Sequence, residues 1–124
     1  MHSVKPALVI SICVLLLSAL ALAGQNPMGI SDFYRVNFTE KVIVADQVLP
    51  SGDYEIRHVM DGTNHTMVFR QIGVRKPVVV RAKCTLVPLT EKAPDNQKIY
   101  ELNASNQRVL HELIFKGDRA KHVF

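Results

Sequence analysis

The chain of 124 residues has no Trp, aromatic residues make up only 6% of it, and Cys is down to 2. So few cysteines exclude a disulfide-stapled scaffold. There is no dinucleotide-binding glycine motif, no Gly-x-Ser-x-Gly nucleophile elbow, no heptad pattern, no internal repeat and no low-complexity tract. Together with the length, these absences exclude Rossmann dehydrogenases, TIM barrels, coiled coils and multi-domain enzymes. No two histidines stand as His-x-His or at helical i, i+4 spacing. What remains is globular in composition, 48% hydrophobic and 21% charged, with a net charge of +4. A single domain of about a hundred residues buries roughly two thirds of its unfolded surface, enough for a core without crosslinks.

The N-terminus has the grammar of an export signal. Met1 to Lys5 carry one Lys and one His, and Ala7 to Ala23 follow without a charge, ending Ala21-Leu22-Ala23-Gly24. A basic start, an apolar run and small residues at the cut describe a signal peptide over 1–23, with cleavage expected after Ala23 and Ala21 as the alternative site. An uncleaved anchor is the other reading, at the short limit of a bilayer span. No Cys follows the apolar run, so a lipoprotein is not expected. Cleavage removes Cys13 and leaves Cys84 as the sole thiol, with no intramolecular disulfide.

After a flexible leader over 24–32, period-two patterns recur, each bounded by turn residues, which predicts one antiparallel β domain over 33–124. Phe33 to Thr39 alternates Tyr34, Val36 and Phe38 against polar neighbours, and Lys41 to Val48 is a β-branched stretch. Leu49-Pro50-Ser51-Gly52-Asp53-Tyr54 is a turn motif: Pro50 sets φ, Gly52 takes the positive φ that other residues resist, and Tyr54 opens the next strand. Tyr54 to Ile72 reads as a hairpin around Asp61-Gly62-Thr63-Asn64. Val78 to Val87 is the clearest strand, with Val78, Val80, Ala82, Cys84 and Leu86 on its apolar face. Cys84 is therefore read as a small core hydrophobe. Lys98 to Leu102 and Gln107 to Lys116 form a second hairpin around Asn103 to Asn106, and Ala120 to Phe124 is a last short strand. Val109, Leu110, Leu113 and Ile114 also fit a helix capped by Ser105 and stopped by Gly117, but the flanking strand and turn favour the hairpin. The predicted fold is all-β, an antiparallel sandwich or partly open barrel of about seven short strands. Its expected core includes Val36, Phe38, Tyr54, Ile56, Met67, Phe69, Val80, Cys84, Tyr100, Leu102, Val109, Leu113 and Phe115.

Two stretches carry a resemblance. Lys41-Val42-Ile43-Val44 followed by Val48-Leu49-Pro50-Ser51-Gly52-Asp53-Tyr54 resembles small exported bacterial proteins of uncharacterised function, common in acidobacteria, with a β-branched strand before Leu-Pro-Ala-Gly-x-Tyr. Leu113 to Asp118 and His122-Val123-Phe124 are similar to the apolar-aromatic strand, Pro-Gly-Asp turn and aromatic end of that group. Ser51 stands where the group has Ala, and Lys116 where it often has Pro. The resemblance implies an exported bacterial β domain and carries no catalytic residues.

The strongest feature outside the core is basic. Arg70, Arg75, Lys76, Arg81 and Lys83 fall in a stretch without Asp or Glu, and Arg81 and Lys83 project from one strand face. Such a set suits anionic polysaccharide or lipid headgroups, against the plainer role of solvating a sheet or guarding its edge. Nucleic acid is not expected, for want of an aromatic stacking pattern. The overall charge of +4 also loses Lys5 with the signal.

His58, His65, His111 and His122 are read as exposed or singly hydrogen-bonded, so no metal, cofactor or catalytic residue is expected. Asp53 and Glu55 read as an ordinary solvated face rather than a glycosidase pair. Sequons at Asn37, Asn64 and Asn103 carry no meaning in a bacterial exported protein. An outer-membrane barrel is disfavoured, because the strands are mostly short and charged on both faces. The expected protein is an exported, periplasmic or extracellular, non-catalytic domain without a membrane span after cleavage. Its partner is another protein or an anionic envelope component, bound by the basic face or by strand addition at an open edge. The alternative is a small hydrolase or metal-dependent enzyme with a site assembled from dispersed His, Asp and Glu residues.

Overall fold

The computed structural model describes residues 29–124, so the expected signal over 1–23 and the first part of the leader lie outside the described residues. The described chain is all-β, as its period-two patterning requires. Its strands are β1 (Phe33–Phe38), β2 (Val42–Val44), β3 (Gln47–Leu49), β4 (Gly52–Asp61), β5 (Asn64–Gln71), β6 (Val79–Pro88), β7 (Gln97–Leu102), β8 (Arg108–Ile114) and β9 (Ala120–Val123). No helix among the described residues is long and apolar enough to cross a membrane.

The described residues form nine strands rather than about seven, partly because Lys41 to Val48 is not one stretch. Ala45 and Asp46 both take positive φ, 51° and 59°, which reverses the chain and pairs Val42 with Leu49 and Val44 with Gln47. The next turn behaves as its residues dictate. Gly52 has φ 143°, Leu49 is fully buried, and the Tyr54 hydroxyl donates to the Pro50 carbonyl at 2.6 Å, tying the turn to the strand it starts. Residues 29–32, the described end of the leader, pack against the domain. Ile30 is fully buried, the Asp32 carbonyl accepts the His58 amide at 2.9 Å, and that of Gly29 accepts the Arg119 amide at 3.0 Å.

The strands form one open sheet, ordered β1-β4-β5-β6-β9-β8-β2-β3, with β7 on β8. β6 is its pivot. Val79 to Cys84 pair with β5, while Thr85 to Pro88 pair with β9. The two halves share one apolar cluster that takes Tyr34, Ile56 and Phe69 from the first half and Val44, Leu110 and Leu113 from the second. The sheet is not closed by a ladder between β1 and β7; the Lys98 ammonium instead donates to the Asn37 carbonyl at 2.6 Å across that gap.

Residues 108–114 form a strand and not a helix, but the strand is bulged. Ile99 lies opposite Glu112 and Tyr100 opposite Leu110, which leaves His111 without a cross-strand partner on β7. One extra residue inverts the side-chain phase, so Leu110 and Leu113, three apart, both point inward. This corrects two core expectations. Val109 is only half-buried while its neighbour Leu110 is buried, and Leu102, at the tip of the β7–β8 hairpin beyond the core, is 67% exposed.

Candidate functional site

Two places in the fold gather functional side chains, one on the outer face of β4–β6 and one beneath it. On the outer face, the registers build rows across the strands. Phe33, Arg57, Val68 and Arg81 form one row, Arg35, Glu55, Arg70 and Val79 the next, and Val59, Thr66 and Lys83 a third. Three of the five basic residues singled out from the sequence, Arg70, Arg81 and Lys83, therefore share a face, with Arg57 and Arg35 added from β4 and β1. Arg75 and Lys76 are exposed in the loop joining β5 to β6 and lie outside these rows. Glu55 is the carboxylate within the rows, 3.9 Å from Arg35. Phe33, Val59 and Val79 are exposed among the cations, and Glu55, Arg57, Val68, Arg70 and Val79 line a depression of about 290 Å³. Asp53 shares this side of β4 with Glu55 but is held by the Asn37 amide at 2.8 Å.

The residues of the turn motif form a corner of the fold. Leu49, Pro50, Gly52 and Tyr54 build the β3–β4 corner, and Tyr54 is fully buried with its hydroxyl spent on Pro50.

Beneath the face lies a buried polar cluster. His58 follows Tyr54 and Ile56 on the inner side of β4, and Cys84 follows Val80 and Ala82 on the inner side of β6. The registers set them one row apart: His58, Met67 and Ala82 in one row, Met60, His65 and Cys84 in the next. His122 enters from β9, opposite Leu86 and Leu113. His58 and His122 are thus buried, 5% and 0% exposed; of the two states expected for the imidazoles, exposed or singly hydrogen-bonded, they take the second, His58 through Nε2 to His65 and His122 through Nδ1 to Cys84. Cys84 is buried as expected, but beside an imidazole, with its Sγ 4.0 Å from His122 Nδ1.

The ligand atoms of His58, Cys84 and His122 all lie within 4.8 Å of one another. Half-buried His65 stacks on His58 and brings its Nδ1 to 3.2 Å from His58 Nε2. Behind His122, the Asp118 carboxylate stands 3.9 Å from Nε2 and accepts the Tyr34 hydroxyl at 2.5 Å. Tyr34 in turn stacks on Phe115, and both rings meet His122 edge-on. His58 Nδ1 and His122 Nε2, both buried, have no hydrogen-bond partner among the described residues.

Burial, and then the neighbouring His122 and His65, hold His58 below the usual imidazole range, against the opposite pull of Asp32 and Asp118. Burial also pushes the Cys84 thiol up to about 11. The thiol therefore carries its proton at neutral pH, so Cys84 is a poor nucleophile unless a cation displaces that proton. The sequence signal for this cluster was only the inward phase of His58 and Cys84 on their strands. Nothing local announced His122 as the third member. No family model, no curated protein and no solved structure matches this chain.

Proposed function

We propose that the protein is an exported, non-catalytic β domain, a partly open barrel in architecture, that holds an anionic envelope component on the outer face of β4–β6. One observation carries the reading: three adjacent rows place Arg35, Arg57, Arg70, Arg81 and Lys83 on one face, with Glu55 the carboxylate inside those rows and Asp53 beyond them on the same side of β4. Cations projecting from a low-dielectric sheet raise the local concentration of anions, and exposed Phe33, Val59 and Val79 add apolar contact for the uncharged parts of such a ligand. Arg is suited to this, because its planar fork meets phosphate and carboxylate with two hydrogen bonds. The cluster below cannot meet a polymer, since His58, Cys84 and His122 are all buried. A periplasmic or extracellular location follows from the signal-like N-terminus and from the resemblance to exported proteins.

The test is retention of the purified chain on a polyanionic matrix as salt is raised, beside the triple variant Arg57→Ser/Arg81→Ser/Lys83→Ser. The wild type should be retained and should elute with salt, and the variant should pass through while keeping its thermal midpoint. Equal retention of both would sink the basic-face reading. Strand addition by a protein partner is the second reading, supported by the open sheet.

A further inference from the structure

We infer that His58, Cys84 and His122 form a binding site for a late first-row transition ion, with Zn(II) the ion that best suits the donor set. The inference is independent of the outer face and stands on four observations.

First, the donors are two imidazoles and one thiol within 4.8 Å of one another, brought together from β4, β6 and β9. Nitrogen and sulfur donors select zinc-like and copper-like ions over Mg(II) and Ca(II), which take oxygen. With metal–ligand bonds of ~2.0–2.3 Å, tetrahedral neighbours sit ~3.3–3.8 Å apart. The 4.0 Å between Cys84 Sγ and His122 Nδ1 needs only a small side-chain rotation to reach that spacing.

Second, the site contains buried polar atoms with nothing to bond. A ring nitrogen removed from water without a partner is costly. His58 Nδ1 and His122 Nε2 are in that position, in side chains 5% and 0% exposed. A metal bound through His58 Nδ1 gives that atom a partner, while His122, bound through Nδ1, keeps its Nε2 turned to Asp118.

Third, the surroundings match those of metal-bound imidazoles, whose second nitrogen usually faces a carboxylate that orients the ring. When His122 binds through Nδ1, the nitrogen facing Cys84, its Nε2 faces Asp118 at 3.9 Å. Asp118 is itself held by Tyr34. Asp118 is thus a positioning residue for His122.

Fourth, a further imidazole adjoins the three donors. His65 is half-buried, lies opposite Cys84 in the β5–β6 ladder and brings its Nδ1 to 3.2 Å from His58 Nε2, so a further nitrogen donor lies beside the three. On binding, the Cys84 thiol gives its proton to solvent and the thiolate takes its place on the metal, so charge and protons balance without a redox step.

The experiment uses the full-length chain with Cys13→Ser, so that Cys84 is the only thiol. It is purified without chelator, stripped, and titrated with Zn(II) and, as a spectroscopic probe, Co(II). The expected result is one ion per chain, a rise in thermal midpoint with Zn(II), and a tetrahedral Co(II) spectrum containing a thiolate-to-cobalt charge-transfer band. Adding Cys84→Ser should abolish that band, and Asp118→Asn, which can still accept the Tyr34 hydroxyl, should weaken Zn(II) binding by roughly 10–100-fold. Mg(II) and Ca(II) should leave the midpoint unchanged. A folded Cys13→Ser chain that takes up no Co(II), or takes it up without the charge-transfer band, overturns the site, whether or not the Cys84 and Asp118 variants fold.

Discussion

The Tyr34 hydroxyl donates to the Asp118 carboxylate at 2.5 Å, across 84 residues of sequence and from one half of the sheet to the other. Both groups are buried, at 8% and 2% exposed, and the bond joins the start of β1 to the turn before β9. Where two halves meet around one core, a satisfied polar pair fixes how they dock, and a half-satisfied one is expensive.

Tyr34→Phe should therefore destabilise the domain by about 1–3 kcal/mol, because it leaves a buried carboxylate without its donor while removing a single oxygen. Chemical denaturation checks this. Loss of less than about 0.5 kcal/mol would mean that Asp118 finds another donor on relaxing. A double-mutant cycle with Asp118→Ala, which removes the acceptor, should show coupling between the two positions.

Alkaline pH should unfold the protein through its tyrosines. Burial raises all three, Tyr34, Tyr54 and Tyr100, above the ordinary phenol value, and for Tyr34 the bond to Asp118 adds to it. A group whose folded pKa is raised contributes stability that is fully present below its unfolded value. That stability is lost as pH rises from there toward the folded value. The contribution of the tyrosines should thus be level below about pH 10 and fall above it. The Cys84 thiol, raised to about 11, adds to the alkaline loss, while the depressed His58 makes the free energy fall on the acid side. The native chain should develop little phenolate absorbance at a pH where the urea-unfolded chain is half ionised. Coincident titration curves for the two states would contradict the assignment.

The bulge at His111 makes a packing prediction. Leu110→Ala and Leu113→Ala should each cost about 2–5 kcal/mol, as full-depth core truncations do. Leu102→Ala, at 67% exposure, should stay within about 0.5 kcal/mol of wild type. A severe Leu102→Ala with a mild Leu110→Ala would mean that β8 follows the unbroken alternation instead.

The β2–β3 turn is strained by its own residues. Ala45 and Asp46 hold φ of 51° and 59°, conformations that glycine and asparagine accept and alanine resists. Ala45→Asn with Asp46→Gly, the favoured pair for a two-residue hairpin turn, should stabilise the domain by about 1 kcal/mol. The thermal midpoint should rise without a change in far-ultraviolet circular dichroism; a lower midpoint would argue against this backbone.

The outer face makes the complementary prediction. Arg57, Arg81 and Lys83 are exposed and make no ion pair among the described residues, so replacing them with Ser should leave the unfolding free energy within about 0.5 kcal/mol per site. Polyanion binding should nonetheless fall, with a weaker salt dependence. Loss of stability in parallel with loss of binding would mark these residues as structural.

Sequence alone carried the local decisions. Alternation placed Phe38, Tyr54, Ile56, Met67, Phe69 and Val80 inward, because successive side chains of a strand point to opposite faces. Pro50 with Gly52, and Gly62 between two alternating runs, set turns that only a few residue types allow. Those signals sufficed for an all-β chain and for the hairpins β4–β5 and β7–β8. Tertiary structure decided everything that depends on which strands become neighbours. The bulge at His111 answers to the ladder with β7, so β8 read as either period from sequence. The meeting of His58, Cys84 and His122 is settled by registers among β4, β5 and β6 and by the return of β9 onto β6 and β8. Period two names the face on which a side chain lies; only long-range pairing names what lies beside it there.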